Sequence, residues 1–301
     1  MTARVLEVRH ETHYAYAAPV TLAHHLAHLQ PLHDDGQRLQ AFSLAIEPAP
    51  DERRDGRDAH GNACSWFSLA RAHASLTVVA NSRVQLCSRF DGLQPQASPA
   101  WDRLAQGLRY VAGAPFDPVV EFLAPSPYVP RLQALRDWAA VAMRPGRPVA
   151  EAALALMAQL HEAFEYDSAS TQVDTPLPQA FAARRGVCQD FAHLLIGALR
   201  MHGVPARYVS GYLLTQAAPG APAMVGADAS HAWVQVQAPG TPGVPPDGWL
   251  DLDPTNDVVP GAGHVRVAVG RDYADVAPLR GVLRGGGRHT LAVSVHTREA
   301  A

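Results

Sequence analysis

Two hydrophobic periods divide this chain. Residues 1–115 are marked by period two: near the start, Leu6 and Val8 alternate with Val5, Glu7 and Arg9. Similar runs follow at Phe42-Ser43-Leu44-Ala45-Ile46, Ala63-Cys64-Ser65-Trp66-Phe67-Ser68-Leu69 and Leu76-Thr77-Val78-Val79-Ala80. Turn clusters such as His33-Asp34-Asp35-Gly36 and Asp58-Ala59-His60-Gly61-Asn62 separate them. Short strands between turns predict a β-rich, sandwich-like N-terminal domain over 1–115. Residues 116–130 include the four prolines Pro118, Pro125, Pro127 and Pro130 and read as a linker. From residue 131 the period becomes helical. Leu132, Leu135, Ala139 and Met143 mark one helix, and Ala153, Leu156, Met157, Leu160 and Phe164 a second. Phe191, Leu194, Leu195, Ala198 and Leu199 mark a third, which begins near Cys188 and stops at Gly203. Strand patterns return at Ala206–Leu214, His231–Gln237, Gly248–Asp253 and His289–Thr297. Residues 131–301 therefore form one unit with a C-terminal strand, and the chain is α+β, its helices packed on an antiparallel sheet. The Ala-, Pro- and Gly-rich stretches Thr215–Ala229 and Pro239–Asp247 read as loops, the first a flexible hairpin tip near the site.

Composition narrows the function. The chain of 301 residues is 48% hydrophobic and 18% charged, enough to build real cores. All 25 basic residues are arginine, and the formal net charge of -3 argues against a partner in nucleic acid or an anionic membrane surface. No apolar run reaches the ~18 residues of a membrane span. The first residues lack the apolar core of a signal peptide. Three cysteines, Cys64, Cys87 and Cys188, form no disulfide framework and no zinc pattern, which suits a reducing compartment. The expected location is the cytoplasm. His24-His25-Leu26-Ala27-His28, with His10 and His13, raises the question of a metal, but no carboxylate is suitably interleaved and no metal is expected. No acidic run of the EF-hand kind is present, so calcium is not expected either.

The chemistry concentrates around Cys188. An Arg-Arg-Gly turn precedes it and the helical pattern follows, placing the thiol at a helix N-terminus. Unpaired N–H groups and the positive dipole end stabilise a thiolate there, and the thiolate is the nucleophile. An imidazole at His231 and a carboxylate at Asp253 follow in order, completing the composition of a nucleophile, base and orienter. Asp251 shares a strand face with Asp253 and is its rival; Asp253 is preferred because Pro254 ends the strand beside it. The Cys188 backbone N–H would supply one oxyanion donor, with Gln172, Tyr166 and Gln189 as candidates for a second. Tyr212, Trp233 and Gln172 are the expected substrate contacts, with core packing an equal reading for Tyr212 and Trp233. Asp190 reads as a first-turn helix group, and Arg184 and Arg185 as a solvated turn or a carboxylate receiver.

Four motifs in order resemble one family. Gly186-Val187-Cys188-Gln189-Asp190-Phe191-Ala192, Ala206-Arg207-Tyr208-Val209-Ser210-Gly211-Tyr212, Ser230-His231-Ala232-Trp233, and Trp249 with Asp253-Pro254-Thr255-Asn256 are similar to the bacterial transglutaminase-like proteins. Upstream, His10-Glu11-Thr12-His13-Tyr14-Ala15-Tyr16 with Pro19-Val20 resembles the N-terminal region of that group. Downstream, Gly270-Arg271-Asp272-Tyr273-Ala274-Asp275-Val276 with Pro278-Leu279-Arg280-Gly281 resembles its tail. The resemblance implies a papain-like transglutaminase core, with Cys188, His231 and Asp253 as catalytic residues, a protein or peptide substrate and no cofactor. It leaves the reaction open among peptidases, amidases, cross-linking transferases and inactive relatives. A protein-binding module on a degenerate scaffold is the competing reading.

Overall fold

The computed structural model describes residues 3–168, 170, 173–214 and 230–300. The predicted Thr215–Ala229 hairpin tip and Gln172 lie outside them. The N-terminal region is organised by one strand, β1 (Arg4–Ala27), which is 24 residues long. Along Arg4–Ala15 it pairs with β5 (His73–Leu86), and along its second half with β4 (Ala63–Leu69). β2 (Gln37–Glu47) extends the β5 side and β3 (Glu52–Arg57) the β4 side. The pairing breaks between Ala15 and Val20, so Pro19, which has no N–H to donate, sits where no ladder needs one. The sandwich-like form expected for this region is thus two wings of one sheet sharing a spine. Tyr16, Val20, Ala23, Phe67, Leu69, Leu76 and Val78 are buried between them.

The helical half holds α1 (Trp101–Gly107), α2 (Gln133–Ala139), α3 (Val149–Ala163), α4 (Leu177–Ala183) and α5 (Cys188–Met201). The two-residue strands β6 (Glu165–Tyr166) and β7 (Arg185–Gly186) run parallel beside α4. Its sheet has the order β10-β9-β8-β11, with β8 (Ala206–Leu213), β9 (His231–Gln237), β10 (Trp249–Leu252) and β11 (His264–Gly270) all antiparallel. The amphipathic pattern read over 191–199 understates α5, which is buried nearly all round and packs directly on β9 and β8. A short α6 (Tyr273–Val276) follows β11.

Two sequence expectations change. The C-terminal strand exists as β13 (His289–Glu299), but with β12 (Leu279–Gly285) it pairs with the free edge of β1 and completes the N-terminal sheet. Alternation announces a strand without naming its sheet. The proline-rich stretch is a fastened strap: Phe122 is buried edge-on to Trp249, the buried Arg200 donates to Ala124 O at 3.1 Å, and Tyr128 N donates to Asp272 at 2.8 Å. Leu6, Val8, Val84 and Leu86 of the N-terminal sheet also join the same apolar core as α3, α5 and β8.

The junction is polar where it meets β11. That strand has β8 on one side only, which leaves the peptide groups of its other edge to be satisfied. Two buried side-chain amides supply the partners. Asn62 accepts from Val269 N at 2.8 Å and donates to Val269 O at 2.7 Å; Gln37 does the same with Arg266, at 2.8 and 2.7 Å. The Tyr212 hydroxyl meets His10 Nδ1 at 3.1 Å nearby. Asn62→Ala leaves a buried N–H and C=O without partners, and at ~1–3 kcal/mol for each unmade bond the loss of stability should reach about 2–6 kcal/mol. Urea unfolding of the variant measures it; a loss below about 0.5 kcal/mol, the level of an unremarkable surface substitution, would mean the clamp is dispensable.

Candidate active site

The thiol owes its place to three neighbours in sequence. Val187 is extended and Cys188 begins α5, so the Cys188 side chain, part-exposed, stands at the helix N-terminus. Asp190 turns back and accepts the Val187 N–H at 2.9 Å, closing the helix start. Gly186 is required beneath that carboxylate: a Cβ there would lie 2.6 Å from Asp190 Oδ2. Asp190 is thus a helix-start group. Gln189 donates its amide to Val173 O at 2.8 Å, so it is committed to tying down the preceding loop rather than to an oxyanion.

His231 starts β9 and is buried, as is Asp253, which follows β10. His231 Nε2 and Asp253 Oδ2 are 2.9 Å apart. Asp253 holds its own turn as well. Pro254 stops the strand, and the N–H groups of Thr255 and Asn256 donate to Asp253 Oδ1 at 3.0 and 3.3 Å. The Asn256 amide returns to Oδ2 at 2.8 Å. Asp251 lies elsewhere: it pairs with Arg89 at 3.2 Å and accepts from the Gln235 amide, so it does not reach His231.

The electrostatics follow from burial and charge. Burial alone would lower the proton affinity of His231, but the adjacent Asp253 charge and hydrogen bond, with the Cys188 thiol, raise it to about 10. Burial pushes Asp253 up, and His231, then His264, more than reverse this, so its carboxyl falls well below the usual range. His231 Nδ1 has no partner of normal hydrogen-bond geometry. Beside Asp253, Cys188 is the other group that raises the proton affinity of His231.

Sequence reasoning missed one group here. His264, on β11, places Nε2 3.2 Å from the same Asp253 oxygen and is itself buried. Its strand is not among those read from the sequence, and nothing in the local sequence ties it to Asp253. Of the two readings open for Trp233 and Tyr212, groove or core, the structure gives the core: they are 0% and 2% exposed. Trp233 stacks on His231 and meets His264 edge-on, and Gly211 makes room for it, since a Cβ there would lie 2.4 Å from the indole. Arg184 covers the rings of Phe181, Phe164 and Trp138 within 4.3–5.3 Å, which removes it as a free carboxylate receiver. Arg185 is exposed, 4.0 Å from Asp167. The histidines of the 24–28 stretch diverge: His25 stacks on Phe67 at 4.9 Å, while His28 turns to Asp58 at 3.2 Å.

Comparison with known proteins adds six findings. Residues 6–85 match the bacterial transglutaminase-like N-terminal region, and residues 136–254 match the transglutaminase-like superfamily. An uncharacterized protein of Mycobacterium tuberculosis is 39% identical over 92% of this chain and 86% of its own length. One of Mycobacterium leprae is 34% identical over 98% of this chain and 99% of its own. A protein-glutamine gamma-glutamyltransferase of Pseudomonas aeruginosa is 34% identical over 44% of this chain and 19% of its own length. A solved structure of a proposed cysteine protease from Cytophaga hutchinsonii shares the fold, with a TM-score of 0.73 at 22% identity, covering 100% of this chain and 92% of that one. Among the described residues no helix is long and apolar enough to cross a membrane.

The buried pair dictates a pH signature. His231, raised to about 10, stabilises the fold fully below the unfolded value near 6.5 and loses that contribution as pH rises toward 10. Asp253, depressed, contributes above ~4 and loses its contribution only in acid. In Asp253→Asn the buried imidazole has no anion to hold its proton. The stability of the parent relative to this variant should therefore fall steadily between pH 6.5 and 10. Urea unfolding of both across that range checks it, and a constant difference would show that no proton is held.

Proposed function

The chain belongs to the transglutaminase-like superfamily, with the bacterial N-terminal region ahead of the core, and from that premise we propose a cysteine-dependent acyl-transfer enzyme acting on amide bonds of protein or peptide substrates. The observation that carries the reading is the buried His231–Asp253 pair, with its one unclaimed ring nitrogen left for a thiol at a helix N-terminus. Asp253 fixes the ring with a proton on Nε2, so Nδ1 is the basic nitrogen.

Nδ1 of His231 takes the Cys188 thiol proton, giving a thiolate and an imidazolium. The sulfur attacks the acyl carbon, forming a C–S bond while the carbonyl π pair moves to oxygen. First-turn amides of α5, the Cys188 N–H foremost, have no intrahelical acceptor and are suited to that oxyanion. Collapse restores the carbonyl and breaks the C–N bond; His231 returns the proton to the departing nitrogen. Water then attacks the thioester, losing its proton to His231, and the thiolate leaves, giving the free acid; an amine attacking instead would give a new amide. Hydrolysis is the reading preferred for the free enzyme, since water is always at hand.

The thiolate is tested before any substrate is known. Iodoacetamide labelling followed across pH by peptide mass spectrometry should modify Cys188 well below the ordinary thiol value near 8.5, and the advantage should vanish in His231→Ala. Cys64, whose thiol burial pushes up, and Cys87 are controls in the same sample. Labelling of Cys188 only above that value would support the binding-module reading instead. With a substrate in hand, Cys188→Ala should abolish turnover and Asp253→Asn should lower it on the order of 10³–10⁴-fold. The same loss in Asp251→Asn with none in Asp253→Asn would reassign the orienter.

A further inference from the structure

Asp253 Oδ2 carries more than a single imidazole asks of it. His231 Nε2 at 2.9 Å, His264 Nε2 at 3.2 Å and Asn256 Nδ2 at 2.8 Å converge on this one oxygen. We propose that His264 is a positioning residue for the acyl transfer: its Nε2–H anchors Asp253 Oδ2 and withdraws part of the charge the carboxylate would otherwise direct at His231. The inference rests on the catalytic reading above and adds a second imidazole to it.

The geometry fixes which histidine is chemically active. An ionised carboxylate only accepts, so both rings carry their hydrogen on Nε2. His264 Nδ1 is buried without a partner, and a proton there would be a donor with nothing to meet it. The tie His264 makes to the site is therefore its Nε2–H alone. His231 has the same arrangement on its carboxylate side, but its free nitrogen faces Cys188. Trp233 separates the two roles, stacked on one ring at 6.1 Å and edge-on to the other at 5.4 Å.

The surroundings leave Asp253 as the charge that His264 answers. Cys87, Arg89, Asp251 and Arg266 line a small crevice with His264. Arg89 is matched by Asp251 at 3.2 Å and Arg266 by Asp34 at 2.8 Å. A hydrogen bond to a carboxylate favours its charged form and makes it a weaker base. The pull on the His231 proton weakens in turn. That matters in the second half of the cycle, where an imidazolium held too firmly is a poor acid for the leaving nitrogen.

The test reads that hold directly and needs no substrate. Iodoacetate is anionic, so its reaction with the Cys188 thiolate is assisted by the imidazolium and falls when that proton is lost, giving a bell against pH. His264→Phe keeps a ring beside Trp233 and removes the N–H. Its descending limb should move to higher pH than in the parent. His264→Gln, whose amide nitrogen occupies the place of Nε2, should return the limb to its parental position. His264→Asn, whose nitrogen occupies the place of Nδ1, should behave like His264→Phe. A merely structural role would lower the rate of all three without moving the limb, and an unmoved or lowered limb in His264→Phe overturns the proposal. Should His264→Phe fail to fold, as judged by near-ultraviolet circular dichroism, the Gln and Asn variants decide: identical limbs overturn it. If the parent gives no bell at all, the catalytic reading fails; if the parent gives one and His264→Phe matches it, only the role of His264 fails.

Discussion

A carboxylate with no solvent exposure has to be answered from all sides, and Asp253 is the point about which this half of the molecule is arranged. Stripped of water, an uncompensated charge would cost several kcal/mol and would neutralise itself instead. Here its own turn supplies two backbone N–H groups and the Asn256 amide, while two strands each deliver an imidazole. β10 must end where it does so that Asp253 leaves the strand facing β9. β11 must lie far enough along β8 to bring His264 to the same oxygen. The motif Asp253-Pro254-Thr255-Asn256 is thus a local device for making one charge tolerable in a dry place. The basicity of His231 is a consequence of that device.

Legibility in the sequence followed the range of the interaction. Cys188 could be placed because its helix start is local: Gly186, Val187 and Asp190 lie within four residues of one another and settle its geometry together. Asp253 could be preferred over Asp251 because Pro254 is adjacent. His264 could not be found, since its tie to Asp253 spans 11 residues of chain and a change of strand, and its neighbours alternate as any buried strand does. Tyr212 and Trp233 left two readings open in the sequence, groove or core, and burial decides for the core. Trp233 stacks under His231, while Tyr212 turns to the other core and meets His10. On an apolar, fully buried strand such as β9, proximity to a polar group says little about exposure.

At the level of fold, alternation gave strands and spacing gave helices, but neither assigned partners. β1 runs far beyond the short alternation read at Val5–Arg9, because the break in pairing between Ala15 and Val20 interrupts the ladder without ending the strand. β12 and β13 return from the far end of the chain to pair with it, through hydrogen bonds that leave little mark on sequence since most of β13 remains exposed. The strap at 116–130 looked like a linker by its prolines and is held instead by Phe122, Arg200 and Asp272, each contributed by a different segment.

The two amides on β11 bear on what the sheet can join. An open strand edge is a template: any extended chain, a substrate or a second copy, can add to it through main-chain hydrogen bonds. Gln37 and Asn62 occupy that template with side chains, engaging both peptide groups of Arg266 and Val269 while offering no further strand beyond themselves. On this side the sheet is stoppered rather than extended. An extended polypeptide approaching the molecule therefore finds no register to adopt along β11, and a further strand can join this sheet only at its other edge, β10.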